Sequence, residues 1–418
     1  MDGPEWSGHF VLTADDPAGP WSDAHRLDGN GIDPSLFFDD DGRAWCTGTR
    51  LTGRYDGHTE IWLREYDPSG PALVGEEHVI WDGTVKGAIW SEGSHLYKIG
   101  GRYHLVTAEG GTALDHAVMT ARADAVTGPY ESNPRNPVLT TRHLGLDHPV
   151  VGTGHGDLVE TPDGEWWMVL LAMRPHHGDR CVLGRETFLT SVRWEDGWPL
   201  AAPVEPVRDA PSVLAPWPAE PACDQFDAPE LGSEWNMLRP PRERWWSLTE
   251  RPGHLRLRVR PETLADAANP SFVGRRQQHP DFAAFTELEF AASDDEQAGL
   301  ALVQNGDFHV LLVSTDRGLR LLKREQGVET VLAETAPAPG RVRLGFEAHG
   351  RWYRASYAVR PGPPVPLGDP LDGDMLSSQV AGGFTGVYIG LYASSNGRAT
   401  ANHADFDWFE YRPLPGEA

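Results

Sequence analysis

Three residues with chemistry suited to acid/base work recur at matched places in the chain: Asp33, Glu92 and His155. Each opens a short apolar and aromatic stretch that runs into a turn and a second such stretch. These are Asp33-Pro-Ser-Leu-Phe-Phe-Asp-Asp-Asp-Gly-Arg-Ala-Trp-Cys, Glu92-Gly-Ser-His-Leu-Tyr-Lys-Ile-Gly-Gly-Arg-Tyr-His-Leu-Val and His155-Gly-Asp-Leu-Val-Glu-Thr-Pro-Asp-Gly-Glu-Trp-Trp-Met-Val. Asp-Gly and Gly-Gly turns between such stretches predict β-hairpins. Aligned on Leu36, Leu96 and Leu158, the hairpins lie 60 and 62 residues apart, so one unit repeats at nearly constant period. A period slightly above that of common propeller blades predicts blades with long loops. The innermost strand of every blade in a propeller lines one shared axis, which would bring the two carboxyl groups and the imidazole into one cleft. Such a set suits proton transfer.

The elements that must position these residues follow from the same repeat. Residues 8–27 resemble not the start of a repeat but its second half, a pattern that returns at Ala117-Val-Met-Thr-Ala-Arg-Ala-Asp-Ala-Val-Thr-Gly-Pro-Tyr. They are expected to be outer strands of a blade whose inner strands are lacking. Full units follow over about 31–80, 90–140 and 153–200, the first with outer strands at 60–66 and 78–81. That makes three and a half blades, fewer than the roughly four to eight of closed propellers. Six prolines, from Pro203 to Pro221, then crowd into residues 201–222 at a density no sheet interior tolerates. Beyond them Leu255, Leu257 and Val259 alternate with Arg256, Arg258 and Arg260, and further strands are expected at 286–290, 300–304, 309–314, 319–323, 341–346, 352–357, 387–392 and 406–411. So many strands between Gly, Asn and Asp turns predict a two-sheet sandwich. The predicted organisation is all-β: a partial propeller over 1–205, a Pro-rich linker over 206–222 and a β-sandwich over 223–418.

Composition bounds the partners. The formal net charge is −25, and so acidic a surface repels phosphate backbones and anionic lipid, which argues against nucleic acid and membrane. No basic, apolar leader opens the chain and no stretch reaches a spanning length, so a soluble, cytoplasmic protein is expected. Cys46, Cys181 and Cys223 are scattered without metal-type spacing, and neither a disulfide framework nor a zinc site is expected.

Ile32-Asp33-Pro-Ser-Leu-Phe-Phe-Asp-Asp-Asp-Gly, Ser91-Glu92-Gly-Ser-His-Leu-Tyr-Lys, Leu105-Val-Thr-Ala-Glu-Gly-Gly-Thr, Gly154-His155-Gly-Asp-Leu-Val-Glu-Thr-Pro-Asp-Gly-Glu-Trp and Leu183-Gly-Arg185-Glu-Thr resemble glycoside hydrolase family 43. The resemblance is to its β-xylosidase branch, whose C-terminal concanavalin A-like domain is echoed in Phe272-Val-Gly-Arg-Arg-Gln-Gln-His, Gly383-Phe384-Thr-Gly and Asp405-Phe-Asp-Trp-Phe-Glu-Tyr. It implies a five-bladed propeller, of which the first blade and part of the second are lacking here, and cleavage of a terminal xylose or arabinose with inversion. An inverting glycosidase needs an acid to protonate the leaving oxygen and a base to activate water, the two carboxyls roughly 6.5–9.5 Å apart. Glu92 stands at the family's general-acid position and Asp33 at that of the carboxylate that orients the acid and keeps its pKa high. Arg185 and His155 match positions beside the sugar, where a forked guanidinium can hold hydroxyls. Trp90 is a candidate stacking platform and Phe384 a candidate lid over the sugar.

The family's base, an Asp near the N-terminus, has no counterpart ahead of Asp33; Asp15, Asp16 and Asp23 fall in an outer-strand turn. The general base is therefore not found, and its lack would remove a contribution of about 10²- to 10⁴-fold. Two readings stand: an exo-acting hydrolase of xylo-oligosaccharides or arabinosides whose chain is N-terminally short and so lacks the base, and a non-catalytic carbohydrate-binding propeller/sandwich protein. Taken singly, Asp33 also fits a turn-capping aspartate, Glu92 a solvated loop carboxylate, His155 a structural histidine and Arg185 a simple ion-pair partner. No cofactor is expected, with calcium, which occurs in some members of the family, left as a possibility. Oligomeric state stays open.

Overall fold

The computed structural model describes residues 8–145, 147–208, 221–336 and 340–415. The chain divides into two compact units, Met1–Met173 with Glu186–Ser212, and Arg174–Arg185 with Val213–Ala418. Most of the expected linker over 206–222 lies outside the described residues. Nearly all regular structure is strand; a 3-10 turn at Gly373–Leu376 and one α-turn at Ser378–Ala381 are the helical pieces among the described residues. No helix there is long and apolar enough to cross a membrane.

The first unit opens with β1 (His9–Val11) paired antiparallel to β2 (His25–Leu27). Three four-stranded sheets follow in chain order. The first holds β3 (Ile32–Phe38), β4 (Ala44–Leu51), β5 (Thr59–Asp67) and β6 (Ala72–Trp81). The second holds β7 (Glu92–Ile99), β8 (Arg102–Glu109), β9 (Ala117–Ala123) and β10 (Glu131–Ser132), and the third β11 (Val151–Glu160), β12 (Trp166–Met173), β13 (Glu186–Glu195) and β14 (Trp198–Ala201). The half unit and three full units expected from the repeat are thus present as up-and-down propeller sheets. The leucines that set the alignment sit alike: Leu36 opposite Cys46, Leu96 opposite Leu105, and Leu158 opposite Met168.

Successive sheets bury their faces against one another. Trp45, Ile61 and Leu63 of the first pack with Leu96, Leu105 and Ala121 of the second, and Val106 and Val118 of the second pack with Leu158, Met168 and Leu170 of the third. Strands β3 and β7 are also pinned at the end away from Asp33. There Lys98 Nζ and the Tyr103 hydroxyl each donate to the Asp39 carboxylate at 2.6 Å. Burial pushes the Asp39 carboxyl up, and the bonds from Lys98 and Tyr103 outweigh it and hold the group below its usual range.

The second unit is a sandwich. In one sheet Phe282–Glu289 lies between His403–Pro413 and Arg341–His349; in the other, Gln297–Asn305 lies between Tyr388–Ser394 and Phe308–Thr315. Leu288, Leu344, Phe346, Phe406 and Phe409 of the first face Leu300, Leu302, Val310, Leu312 and Leu391 of the second in one core. The alternation read at 255–260 holds: Leu255, Leu257 and Val259 are buried, while Arg256 turns to Asp405. One strand, Val328–Glu334, escapes the alternation rule because it is an edge strand exposed along nearly its whole length. The third repeat also does not run unbroken from 153 to 200. Its β12–β13 connection, Arg174–Arg185, belongs to the second unit, where Val182 and Leu183 are buried in the sandwich core.

Candidate active site

The start of each inner strand carries the same distortion. On β3 the pairing skips from Ile32 opposite Thr49 to Ser35 opposite Thr47; on β7 it skips from Glu92 opposite Ala108 to His95 opposite Val106. On β11 it skips from Gly154 opposite Leu171 to Asp157 opposite Val169. Two residues thus face one, the definition of a β-bulge, which re-aims the side chains around it. The first residue of each bulge is left-handed: Asp33 at φ 51°, Gly93 at φ 59° and His155 at φ 48°.

This corrects the equivalence drawn from sequence. Asp33 and His155 are counterparts of each other and of Gly93, whereas Glu92 sits one residue earlier, level with Ile32 and Gly154. The offset is present in the spacing, since Glu92 lies four residues before Leu96 whereas Asp33 and His155 lie three before Leu36 and Leu158; the equal bulges give it its structural place. Left-handed Asp and His cost about 1–3 kcal/mol each and persist only where the surroundings enforce them, a pattern that gathers at functional sites.

The bulges touch. A methyl group placed on Gly93 would lie 2.6 Å from His155 Nε2, so the imidazole of the third inner strand rests on the backbone next to Glu92. His95 Nδ1 is 3.1 Å from Ser35 Oγ, and its ring centroid lies 6.2 Å from that of His155. Behind them Ser94 Oγ donates to Thr47 Oγ1 at 2.9 Å in a buried contact. Asp33, Glu92 and His155 are all half-buried.

Trp90, also left-handed at φ 53°, is half-buried ahead of Glu92. Its amide donates to Gly57 O at 2.8 Å, and methyl groups on Gly57 and Gly111 would come within 3.3 and 3.1 Å of the indole. Two loops that lack side chains there make room for the ring. Asp15, Asp16 and Asp23, between β1 and β2, are all exposed, and Asp16 accepts from its own turn, from the Ala18 amide at 2.8 Å.

Arg185 and Phe384 meet in the second unit. The guanidinium carbon lies 4.5 Å from the Phe384 ring centroid, the Arg185 amide donates to Phe384 O at 3.0 Å, and Phe384 is 52% exposed. Their neighbours interlock: Val387 N donates to Val182 O at 3.1 Å, and Gly184 bridges Thr385. At Gly184, φ is 65° and an added methyl would lie 2.3 Å from Gly386 N. Gly184→Ala is therefore expected to force the two segments apart and cost about 1–3 kcal/mol, read as a lower midpoint in denaturant unfolding. Sequence reasoning named both residues without linking them; 199 residues of separation hide a contact made by backbone approach. It also passed over Ser35 and His95, although both stand just after the bulge in the quoted motifs. No group of three or more His, Cys, Asp or Glu is arranged to hold a metal among the described residues.

Comparison with known proteins now decides the family. Residues 2–199 match the glycosyl hydrolases family 43 model, and residues 223–412 match the beta xylosidase C-terminal concanavalin A-like domain. A xylosidase/arabinosidase of Butyrivibrio fibrisolvens is 40% identical over 96% of this chain and 81% of its own length. The chain belongs to glycoside hydrolase family 43. Family 43 relatives also include a non-reducing end alpha-L-arabinofuranosidase of Bacteroides ovatus, 37% identical over 97% of this chain and 77% of that protein. The structure of a xylan beta-1,4-xylosidase from Bacillus halodurans superposes with a TM-score of 0.90 at 36% identity, covering 96% of this chain and 80% of that one. The protein is a glycoside hydrolase built as a propeller followed by a β-sandwich.

Proposed function

We propose that this family 43 chain is an exo-acting, inverting hydrolase that releases xylose or arabinose from the non-reducing end of xylo-oligosaccharides. Glu92 acts as general acid toward the leaving oxygen. Asp33, on the neighbouring inner strand, orients that acid and disfavours its early ionisation by its own charge. His155 shapes the floor beside Gly93, and Trp90 offers a ring to the apolar face of the sugar; within the second unit, Arg185 and Phe384 pair a forked donor with an aromatic ring, a set suited to sugar hydroxyls and a sugar face. The observation that carries the reading is the trio of bulged inner strands, which presents Asp33 and Glu92 from adjacent strands with the His155 ring seated on Gly93. The relatives' names, one joining xylosidase and arabinosidase and one an arabinofuranosidase, support a pentose substrate. The chemistry is carried by carboxyl groups and water and calls for no cofactor.

The base is the weak member. Asp15, Asp16 and Asp23 are exposed on the first ribbon, which favours, as the second reading, a sugar-binding protein of low or no turnover. Release of nitrophenol from aryl β-xyloside and aryl α-arabinofuranoside by the 418-residue chain separates the two. Turnover of either substrate supports the hydrolase and ranks the sugars. A folded chain that binds xylo-oligosaccharides and releases nothing supports the second reading. Azide adds a further arm: if only the base is lacking, azide attacks directly and the anomerically inverted glycosyl azide accumulates.

A further inference from the structure

We propose that His95 is a positioning residue for the acid pair, acting through Ser35; this rests on the reading of Glu92 as general acid and Asp33 as its modulator. Ser35 and His95 hold the same place in the first two repeats, the first residue to pair normally after the bulge. Their side chains meet at 3.1 Å, so one bond ties β3 two residues from Asp33 to β7 three residues from Glu92. On its other flank His95 packs near the ring of His155, which in turn presses on Gly93. His95 therefore stands between the elements that carry both carboxyls while lying outside the set proposed to meet the sugar.

The need for such a bolt follows from the backbone. Asp33 is held left-handed, a conformation that relaxes unless something beyond its own strand opposes it. At the far end of the same strand pair, Asp39 with Lys98 and Tyr103 provides one pin; a strand held only there could still pivot where the carboxyls sit. Further round the axis an analogous stitch joins β7 to β11: the Tyr97 hydroxyl donates to Asp157, which matches Ser35 and His95 in position, and accepts from the Leu158 amide at 2.8 Å. Inner strands are thus sewn together just past their bulges, and at the first junction the thread is Ser35–His95.

A shift of about 1 Å in a catalytic group can cost about 10²-fold. His95→Ala is expected to lower kcat by about 10- to 100-fold on aryl glycosides with poor leaving groups, with KM little changed and less loss on an activated leaving group that needs no proton. His95→Asn, whose amide can reach Ser35, is expected to recover most of that loss. Ser35→Ala should fall in the same direction, and the double variant Ser35→Ala/His95→Ala should be no worse than His95→Ala, because one bond is lost once. Equal activity of His95→Ala and the parent chain, additive losses in the double variant, or no recovery with Asn would overturn the proposal. Crystal structures of the parent and His95→Ala chains give a readout that does not depend on turnover. Displacement of Asp33 relative to Glu92 in the variant supports the proposal, and an unmoved pair sinks it, even if the parent proves inert and the hydrolase reading fails.

Discussion

Replacing Glu92 by glutamine is expected to reduce turnover of aryl β-xylosides with poor leaving groups by about 10²- to 10⁴-fold. Glutamine keeps the size of the side chain and its hydrogen-bonding ends but has no proton to give, so the substitution isolates proton donation from packing. The loss should shrink as the leaving phenol becomes more acidic, since a good leaving group departs without assistance. The limb of the pH–rate profile on the alkaline side, where a general acid ionises, should also disappear. Measuring kcat across a series of aryl leaving groups for both proteins checks this. A uniform loss across the series would assign Glu92 to binding or folding instead. Glu92 is half-buried at the start of β7, one residue before a left-handed glycine, so a neutral isostere there should leave the fold intact.

Asp405→Asn is expected to destabilise the sandwich strongly. Asp405 is 3% exposed in the sandwich and is gripped by two arginines. Arg256 Nε and Nη2 reach its two oxygens at 2.8 and 2.9 Å, and Arg251 Nη1 reaches one of them at 2.7 Å. Burial pushes this carboxyl up, but the hydrogen bonds and charges of Arg256 and Arg251 outweigh it and hold the group below the usual carboxylate range. Removing one partner of a buried pair costs about 3–5 kcal/mol, and both guanidinium groups here reach solvent, which places the loss near the lower end. Because the folded-state pKa is depressed, the contribution is present above about pH 4, the ordinary value for Asp, and is lost as pH falls through the folded value. Unfolding in denaturant at pH 7 should show the full difference between the two proteins. On acidification below about pH 4 the parent's advantage should fade while the Asn variant loses little from this site. A constant difference down to pH 2 would mean that Asp405 acts by packing rather than by charge.

How far the sequence carried is clearest where local pattern and final structure share one cause. Turn residues between alternating stretches placed the β3–β4, β7–β8 and β11–β12 hairpins, and the leucines at 36, 96 and 158 found their common position, because strand periodicity and turn chemistry act over a few residues. The alternation at 255–260 likewise survived, since one face of that strand meets the core and the other carries Arg256 to Asp405. The edge strand Val328–Glu334 was missed for the converse reason: with no buried face it shows no period.

The sequence by itself determined the class of fold and the order of propeller and sandwich, and it named Asp33, Glu92 and Arg185 as residues of a type that could do the chemistry. Tertiary structure decided their arrangement. Only the folded sheets show that Asp33, Gly93 and His155 each open a bulge in the left-handed conformation, with Glu92 one residue ahead of it. Only the packed chain seats His155 on Gly93, joins Ser35 to His95 across 60 residues, and lays Arg185 on Phe384 within the second unit. The physical reason is that strand formation follows from neighbours in the chain. A bulge, a left-handed side-chain-bearing residue or a glycine at a close approach is held by groups far away in sequence, and their cost is met only when those groups arrive.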